Sequence, residues 1–445
     1  MNKLIIGLGS FAFILLIVIV AIKSNKNNSN IIEGEVLYKS SDMLVFKDNN
    51  DLIYNIDIDI DELSVGDKVA LKYTGILNKN SSNQDISVIA YAKLLNAESE
   101  DLSTWNDNGI FSKFYKQAYN KLQTLSIDEK IGQLLIARYP ESKEGNKYNL
   151  AGYVFYQKDF DDKGKDEVIE MIDSLNDTAR IPLFIAVDEE GGRIIRVSSN
   201  SKLVETPFKS SKELYDEGGF DLISEDTKKK SDLLSSLHIN VNLAPVVDIA
   251  ENTDSYIYPR TIGYGVEITS KYASTVINAS KTNNVSYVLK HFPGYGDSTD
   301  THNDESINNT DYDEIINKNI IPFKSGIDAG AEAVLVSHNT YTSIDDEPAS
   351  LSSGVHNILK SELKFTGVTI TDDLDMGATS DINNKYLNAL LAGNDLLIVT
   401  DYESAFKEIK KGLTDGDISE DYIDKLVLKV LSWKYYKLLL LENNK

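Results

Sequence analysis

Eight short apolar segments between residues 133 and 400 constrain the fold more than any other feature of the chain. They lie at 133–136, 152–156, 183–187, 241–245, 287–290, 333–338, 368–371 and 396–400. Each is separated from the next by enough chain to form a helix, and strands that alternate with helices pair in parallel. Eight such repeats predict an α/β fold with a closed (β/α)8, TIM-type barrel rather than an open sheet. The sequence SIDE at 126–129 predicts a capping box at the start of the helix before the first strand.

The N-terminal end carries an uncharged apolar run at 4–22, with Lys3 and Lys23 on either side. Such a run is long enough to cross the hydrocarbon core of a membrane as a helix. A cleaved signal peptide is the alternative, but its apolar region is usually shorter, and no small-x-small cleavage site follows Ile22. We therefore expect residues 1–30 to form a transmembrane anchor and spacer, with the catalytic domain outside the cytoplasm, and secretion as the alternative. Because positive charge lies on both sides of the apolar run, the orientation of the helix in the membrane is left undecided.

Residues 31–95 show a second pattern, in which short alternating runs are separated by turn residues. The runs lie at 34–38, 43–46, 52–56, 68–73 and 86–90. This pattern predicts a small antiparallel β domain, similar to a five-stranded barrel. Residues 96–110 are polar and predict a linker, so that 111–445 form the barrel domain.

Composition excludes several classes of function. The chain has 69 acidic and 45 basic residues and a formal charge of -24. Nucleic acid is therefore not expected as a partner, because binding phosphates requires a basic face. The absence of cysteine excludes disulfides, thiolate metal sites and a cysteine nucleophile.

Ionisable residues follow five consecutive predicted strands of the barrel, at the ends where TIM-type barrels place their sites. These residues are Asp188–Arg193 after the third strand, Asp248 after the fourth, Lys290 and His291 after the fifth, His338 after the sixth, and Asp372 and Asp373 after the seventh. Three of the five histidines (His291, His302 and His338) belong to this region. The pattern predicts that these side chains converge where a substrate binds.

Six ordered motifs give this region a resemblance to a known family. They are IPLFIAVDEEGGR at 181–193, NLAPVVD at 242–248, KHFPG at 290–294, DTH at 300–302, TDDLDM at 371–376 and AGND at 392–395. Together they resemble glycoside hydrolase family 3, and within it they are most similar to the β-N-acetylhexosaminidase branch. The resemblance runs from about residue 131 to residue 400. It implies a barrel enzyme that hydrolyses terminal β-linked N-acetylglucosamine of cell-wall or peptidoglycan-derived glycans, with carbohydrate as its partner.

The resemblance assigns the catalytic nucleophile to Asp372. A retaining glycosidase needs a carboxylate beside the anomeric carbon to form a glycosyl-enzyme. Asp373 and Asp375 are rivals by chemistry, although Asp372 and Asp373 would point to opposite faces if the strand continued. The alternative for Asp372 is a helix cap, since Asp is common at that position.

The resemblance also implies an acid/base pair, His302 with Asp300. Histidine titrates near neutrality and can move a proton in both directions, and an aspartate partner would orient its ring. The alternative is a metal site, because Asp297, Asp304 and Glu305 lie nearby in the sequence. Glycoside hydrolysis needs no metal, so we expect neither a metal nor a cofactor.

The substrate-binding residues implied by the resemblance are Asp188, Arg196, Arg260, Lys290 and His291. Asp188 would accept hydrogen bonds from hydroxyls at the far end of the sugar, and the other four would surround the same ring. Lys290 and Arg260 have an alternative role as structural ion-pair members, and His291 as a core histidine. His338 is expected either to line the site or to brace it.

The sequence departs from the family pattern at two positions. Tyr295 stands where the family usually has histidine, and Glu189 where glutamine is common. If position 295 only shapes the loop, the change is harmless. If it tunes His302, the pH optimum should shift.

Three alternatives to an N-acetylglucosaminidase remain at this point: a β-glucosidase or β-xylosidase, a phosphorylase of the same family, and a catalytically silent protein that binds wall glycans. Relatives that act on glucosides or xylosides usually carry a second α/β domain, whereas the residues after the eighth strand here read as helix. The presence of Asp372, His302 and Asp300 together argues against a silent protein.

Overall fold

A computed structural model describes residues 29–40, 43–58, 63–81, 84, 86–93, 101–139, 147–302 and 305–442. In these ranges no helix combines the length and the apolar character that a membrane crossing requires. The predicted anchor at 4–22 lies outside the described residues, so it stays a prediction.

Eight parallel strands close into a barrel. They are β6 (Leu135–Arg138), β7 (Gly152–Phe155), β8 (Phe184–Val187), β9 (Val241–Asn242), β10 (Ser286–Phe292), β12 (Ala333–Val336), β14 (Val368–Asp373) and β15 (Leu396–Val399). Each strand pairs with the next, and β15 closes the barrel onto β6, with Val399 opposite Ala137. Every predicted apolar segment overlaps one of these strands, which confirms the TIM-type barrel. A short parallel pair, β11 (Ile307–Asn308) and β13 (Thr340–Tyr341), lies outside it.

Helices surround the barrel. They are α1 (Tyr115–Leu122), α2 (Ile127–Gly132), α3 (Gln157–Phe160), α4 (Lys165–Asn176), α5 (Ser211–Ser236), α6 (Val266–Ser280), α7 (Tyr312–Glu314), α8 (Ile321–Asp328), α9 (Ser353–Ser361), α10 (Gly377–Ser380), α11 (Lys385–Ala392), α12 (Tyr402–Asp415) and α13 (Glu420–Glu442). They cover the outer face of the strands, and side chains of the strands themselves fill the barrel interior, which explains why the strands are continuously apolar. The capping box is confirmed, since the Ser126 and Glu129 side chains each accept the other's backbone N–H.

The N-terminal strands form a five-stranded antiparallel sheet. The strands are β1 (Ser29–Lys39), β2 (Met43–Asp48), β3 (Ile53–Asp57), β4 (Lys68–Gly75) and β5 (Ile86–Lys93), in the order β3-β2-β1-β4-β5. The sheet has its own apolar cluster, which includes Val36, Phe46 and Leu71.

This sheet is open in the described residues, so the prediction that it resembles a barrel was wrong. Closure would require β3 to pair with β5. Instead, the backbone of Ile53 in β3 is bonded to the side chain of Asn357 in α9: its N–H donates to Asn357 Oδ1 at 2.8 Å, and its carbonyl accepts from Asn357 Nδ2 at 2.5 Å. A barrel helix therefore covers this strand edge.

Candidate active site

A cavity of about 200 Å³ opens at the carboxyl ends of the barrel strands. Seven of the eight residues predicted from the sequence line it: Asp188, Arg196, Arg260, Lys290, His291, His302 and Asp372. The eighth, Asp300, contacts His302. The wall also includes Tyr156, Tyr256 and Asp373, which the sequence had not assigned to substrate binding.

Asp372 and Asp373 end strand β14, and both reach the cavity wall. The Asp373 carboxylate accepts hydrogen bonds from Thr400 Oγ1 at 2.7 Å and from the backbone N–H of Thr400 at 3.1 Å. The Asp375 carboxylate is paired with Lys385 at 2.8 Å. Within the described residues, the Asp372 carboxylate accepts only the N–H of Asp373, at 2.9 Å. Of these three, Asp372 is the carboxylate left available to a substrate.

The surroundings of Asp372 favour its ionised form. Burial alone would raise the pKa of this carboxyl, but His338, His291 and the Asp373 N–H outweigh that effect and hold the pKa below its ordinary value. For Asp373 the balance is reversed, because burial raises the pKa above its ordinary value despite the bonds from Thr400. The two neighbouring carboxyls therefore differ electrostatically, and the surroundings favour the ionised form, which a nucleophile needs, more strongly at Asp372 than at Asp373.

His302 and Asp300 meet on the loop after β10. The Nδ1 atom of His302 lies 2.6 Å from Oδ1 of Asp300, and the same oxygen accepts the backbone N–H of His302 at 3.0 Å. Tyr256 Oη lies 3.3 Å from the same ring nitrogen. The His302 side chain is 54% exposed, so solvent reaches it from the cavity mouth.

The metal alternative receives no support from the part of the chain that the structure describes. Among those residues, no group of three or more Asp, Glu or His side chains has an arrangement that could hold a metal ion. Asp304, one of the residues that suggested such a site, lies outside the described ranges.

Tyr295, the residue that departs from the family pattern, holds this loop in place. Its hydroxyl accepts the backbone N–H of Thr301 at 2.9 Å and lies 3.0 Å from Thr301 Oγ1. Its own N–H donates to Asp248 Oδ1 at 2.7 Å. Thr301 lies between Asp300 and His302 in the sequence. The tyrosine therefore contacts the residue that links the two members of the predicted acid/base pair.

A buried ion-pair network forms one side of the cavity, with Glu190 at its centre. Lys290 Nζ lies 2.6 Å from Asp188 Oδ1 and 2.8 Å from Glu190 Oε1. Arg260 donates to Glu190 through Nη2 at 2.7 Å and Nε at 3.1 Å. Burial would raise the pKa of Glu190, but the charges of Arg260 and Lys290 outweigh it and lower the pKa. Lys290 and Arg260 are thus both ion-pair members and cavity-lining residues.

Sequence reasoning missed Glu190. It belongs to the motif at 181–193, but the sequence alone predicted no role for it. A usable signal was present, because Glu190 lies two positions after Asp188, and residues two apart share a side in extended backbone.

The two remaining histidines of this region have different surroundings. His291 Nδ1 lies 2.7 Å from Asp248 Oδ2, and its Nε2 lies 3.2 Å from Arg260 Nη2 at the cavity wall. His338 is buried, with Nδ1 2.7 Å from Ser350 Oγ and Nε2 2.9 Å from the backbone oxygen of Asp373. His338 therefore braces the end of β14.

Glu189, the second departure, is fully buried and caps a turn. Its carboxylate accepts the backbone N–H groups of Arg196 at 2.8 Å and Val197 at 2.6 Å. This turn presents Arg196 to the cavity. The buried Nε of Arg196 has no hydrogen-bond partner in the described residues. The Arg196 guanidinium lines the cavity beside Asp188, with Nη2 4.0 Å from Asp188 Oδ2.

The barrel domain is similar in sequence to known proteins. Residues 126–433 match the sequence profile described as the glycosyl hydrolase family 3 N terminal domain. A β-hexosaminidase of Xanthomonas campestris pv. campestris is 29% identical over 258 residues, which cover 56% of this chain and 77% of that protein. The β-hexosaminidase A of Pseudoalteromonas piscicida is 28% identical over 278 residues, covering 57% of this chain and 46% of the relative.

Solved structures share the fold. A glycoside hydrolase family 3 β-N-acetylglucosaminidase from Paenibacillus sp. str. FPU-7 superposes with a TM-score of 0.67 and 26% identity, covering 71% of this chain and 63% of that one. The match therefore spans less than two thirds of that protein's own length. The β-glucoside phosphorylase BglX also gives a TM-score of 0.67, with 22% identity and coverage of 78% of this chain and 64% of that chain. At that identity the likeness shows the fold alone.

Proposed function

The chain belongs to glycoside hydrolase family 3, and we propose that this enzyme removes terminal β-linked N-acetylglucosamine with retention of configuration. The observation that carries the proposal is the shared cavity: an ionised, uncommitted carboxylate from Asp372 and the imidazole of His302 both line it. The named relatives, β-hexosaminidases and a β-N-acetylglucosaminidase, support the choice of sugar.

The first step of the proposed reaction forms a glycosyl-enzyme. The Asp372 carboxylate attacks the anomeric carbon while the bond from that carbon to the departing oxygen breaks. His302, protonated on both ring nitrogens, gives its Nε2 proton to the departing oxygen. Asp300 keeps accepting the proton on Nδ1 throughout, which fixes the ring and stabilises the charged imidazolium.

The second step releases the sugar. Neutral His302 removes a proton from water through Nε2, and the water oxygen attacks the anomeric carbon. The bond to Asp372 breaks, and its electron pair returns to the carboxylate. Both displacements invert the anomeric carbon, so the product has the configuration of the substrate.

Recognition of the sugar is assigned to the opposite part of the cavity. Asp188 is already held by Lys290, which leaves its second oxygen able to accept a sugar hydroxyl. The Arg196 guanidinium, which lines the cavity beside Asp188, supplies the donor. Such paired, buried donors and acceptors discriminate strongly between hydroxyl patterns, because a sugar that lacks one hydroxyl leaves a buried group unpaired.

The test is an assay of the purified full-length chain in detergent. We expect turnover of a chromogenic β-N-acetylglucosaminide, little turnover of the matching β-glucoside, and the β-anomer as the first product detected by NMR. Turnover of the glucoside alone would assign another sugar. An α-anomer as first product would exclude the retaining mechanism, and turnover of neither would favour the sugar-binding alternative.

Phosphorolysis is tested in the same assay. Inorganic phosphate is added at constant ionic strength, and a sugar 1-phosphate is sought among the products. We expect free N-acetylglucosamine in both conditions, because water attacks the glycosyl-enzyme in the proposed second step. A sugar 1-phosphate as the main product would instead identify a phosphorylase.

We also propose that the chain acts outside the cytoplasm on wall-derived glycans, anchored through the apolar run at 4–22. The test is fractionation of cells that produce either the full chain or a chain without residues 1–30. Activity should sediment with membranes only for the full chain. Soluble activity from both chains would contradict an uncleaved anchor.

A further inference from the structure

A second cavity, of about 280 Å³, lies between the five-stranded sheet and the barrel. The sheet contributes Lys47 to its wall, the segment before the barrel contributes Trp105, and helices α9 and α13 contribute Lys360 and Lys429. Asp395, which also lines it, immediately precedes β15. The cavity is therefore at the amino-terminal ends of the barrel strands, whereas the candidate active site is at the carboxyl ends.

Positive charge is concentrated in this second cavity. Five lysines line it, against three aspartates, which leaves an excess of two positive charges. The five lysines are Lys47, Lys360, Lys364, Lys425 and Lys429. The chain as a whole has a formal charge of -24, so a basic cavity is the opposite of what its composition would give on average. A local excess of one sign raises the concentration of counter-ions of the other sign.

Two of the three aspartates of the cavity are already paired with its lysines. Asp395 is 2.9 Å from Lys429 Nζ. Asp51 is 3.3 Å from Lys425 and 3.5 Å from Lys47. These ion pairs compensate part of the positive charge and leave the remaining lysines with weaker partners.

Among the lysines that line this cavity below its mouth, the part-buried Lys360 has the weakest compensation. Its Nζ donates to the backbone carbonyl of Asp51 at 3.2 Å, and within the described residues it forms no ion pair. Burial lowers the pKa of this ammonium group to about 8, and the nearby Asp51 only partly opposes that effect. A buried charge without a counter-ion is costly, and an anion in the cavity would supply one.

We propose that this cavity binds the phosphate group of a small molecule. Lysine ammonium groups act as point charges suited to a compact oxyanion. Among the residues that the structure describes, no arginine lines the cavity to form the paired bonds typical of carboxylate recognition. The indole of Trp105 adds a partly exposed apolar surface beside the lysines, on which the organic part of a phosphate ester can pack. Free phosphate and a phosphate ester share the proposed chemistry.

Tryptophan fluorescence provides a direct measurement. The chain has two tryptophans, and Trp433 is fully buried in the barrel core while Trp105 lines the cavity. The full-length chain is titrated with inorganic phosphate and, separately, with glucose 6-phosphate, at ionic strength held constant with sodium chloride. We expect a saturable fluorescence change for at least one of them, lost in Trp105→Phe, together with a higher melting temperature. Tighter binding of glucose 6-phosphate would identify an ester as the ligand, and equal binding would identify free phosphate.

Variants that each remove one positive charge test whether phosphate binds in this cavity. Lys360→Gln should weaken phosphate binding about tenfold or more, as expected for loss of a charge-assisted hydrogen bond. Lys364 is an exposed lysine at the cavity mouth. Lys364→Gln should weaken phosphate binding less than Lys360→Gln does, and it replaces that variant in the test if Lys360→Gln does not fold. The matched control is Lys324→Gln, an exposed lysine paired with Asp328 away from both cavities. All three should retain glycosidase activity.

Three results would overturn the proposal. The first is a signal that chloride alone reproduces, which would mean a general salt effect. The second is unchanged affinity in both Lys360→Gln and Lys364→Gln. The third is loss of phosphate binding in Arg196→Gln, which removes a cation of the other cavity and would therefore place the anion in the candidate active site.

Discussion

The hydroxyl of Tyr295 lies 2.9 Å from the backbone nitrogen of Thr301, the residue between Asp300 and His302. We predict that Tyr295→Phe loosens this loop and lowers kcat by about tenfold, because the Thr301 N–H loses its hydroxyl acceptor at a cost of about 1–3 kcal/mol. The loss should be larger for substrates with poor leaving groups, which depend on protonation by His302. The measurement is kcat for a series of aryl N-acetylglucosaminides.

Tyr287→Phe is the matched control for that experiment. Tyr287 is a buried barrel tyrosine whose hydroxyl bonds to Ser231 Oγ at 3.0 Å. Its loss should cost stability but leave the dependence on the leaving group unchanged. If both variants changed that dependence equally, Tyr295 would have no specific influence on the loop.

Much of the fold could be predicted because the barrel strands are buried on both faces. A four-residue run such as Leu396–Val399 has no polar side to confuse the pattern, and its carboxyl end identifies where a site belongs. The same reasoning brought Asp188, Lys290 and Asp372 to one cavity.

Features that depend on distant contacts could not be predicted. The edge of β3 is covered by Asn357, a residue 304 positions away, so nothing near Ile53 indicates whether the sheet closes. The role of Glu190 depends on Arg260 and Lys290, which belong to other segments, and three adjacent acidic residues are chemically alike until the backbone beyond β8 orients them.

Asp372→Asn should reduce hydrolysis by roughly 10⁴-fold with little change in melting temperature, because it removes the nucleophile without removing a structural contact. The loss of activity in Asp373→Asn should be smaller than that in Asp372→Asn by a factor of about 100 or more. The reason is that the Asp373 carboxylate is bonded to Thr400 and stabilises the local structure. Steady-state kinetics and thermal melts of both variants give the comparison. A larger loss in Asp373→Asn would move the nucleophile to that residue.

His302→Ala should spare substrates whose leaving groups need no proton and should reduce turnover of a natural disaccharide by roughly 10²–10⁴-fold. Asp300→Asn should also reduce turnover of the disaccharide, but by a smaller factor. The reason is that the Tyr256 hydroxyl still lies next to Nδ1 of the His302 ring. The readout is kcat against leaving-group pKa. Equal losses on every substrate in both variants would show that the pair does not act in protonation.

Glu190→Gln should destabilise the fold by about 3–5 kcal/mol, because Lys290 and Arg260 would stay buried without the central carboxylate. The pKa of Glu190 is depressed in the folded state, so its contribution is complete above its unfolded pKa of about 4.3 and is lost as pH falls further. The stability difference between wild type and variant should therefore be full at pH 7 and shrink below about pH 4.

Urea unfolding at several pH values measures that difference. The control is Glu217→Gln, a half-exposed carboxylate paired with Lys209, which should change stability by about 1 kcal/mol or less. A Glu190→Gln variant as stable as this control at pH 7 would show that the network contributes nothing to the fold.

Asn357→Ala should weaken the docking of the sheet onto the barrel. It leaves the N–H and the carbonyl of Ile53 without their partner, at a cost of about 1–3 kcal/mol for each group that stays buried. Hydrogen exchange of the Ile53 amide should accelerate, while glycosidase activity stays unchanged because α9 does not line the active-site cavity. The control is Asn317→Ala, an exposed residue whose side chain donates to the Asp313 carbonyl at 2.7 Å, which should leave the exchange unaltered. If the Ile53 amide exchanged at the wild-type rate in Asn357→Ala, the edge of β3 would be protected by something other than this side chain.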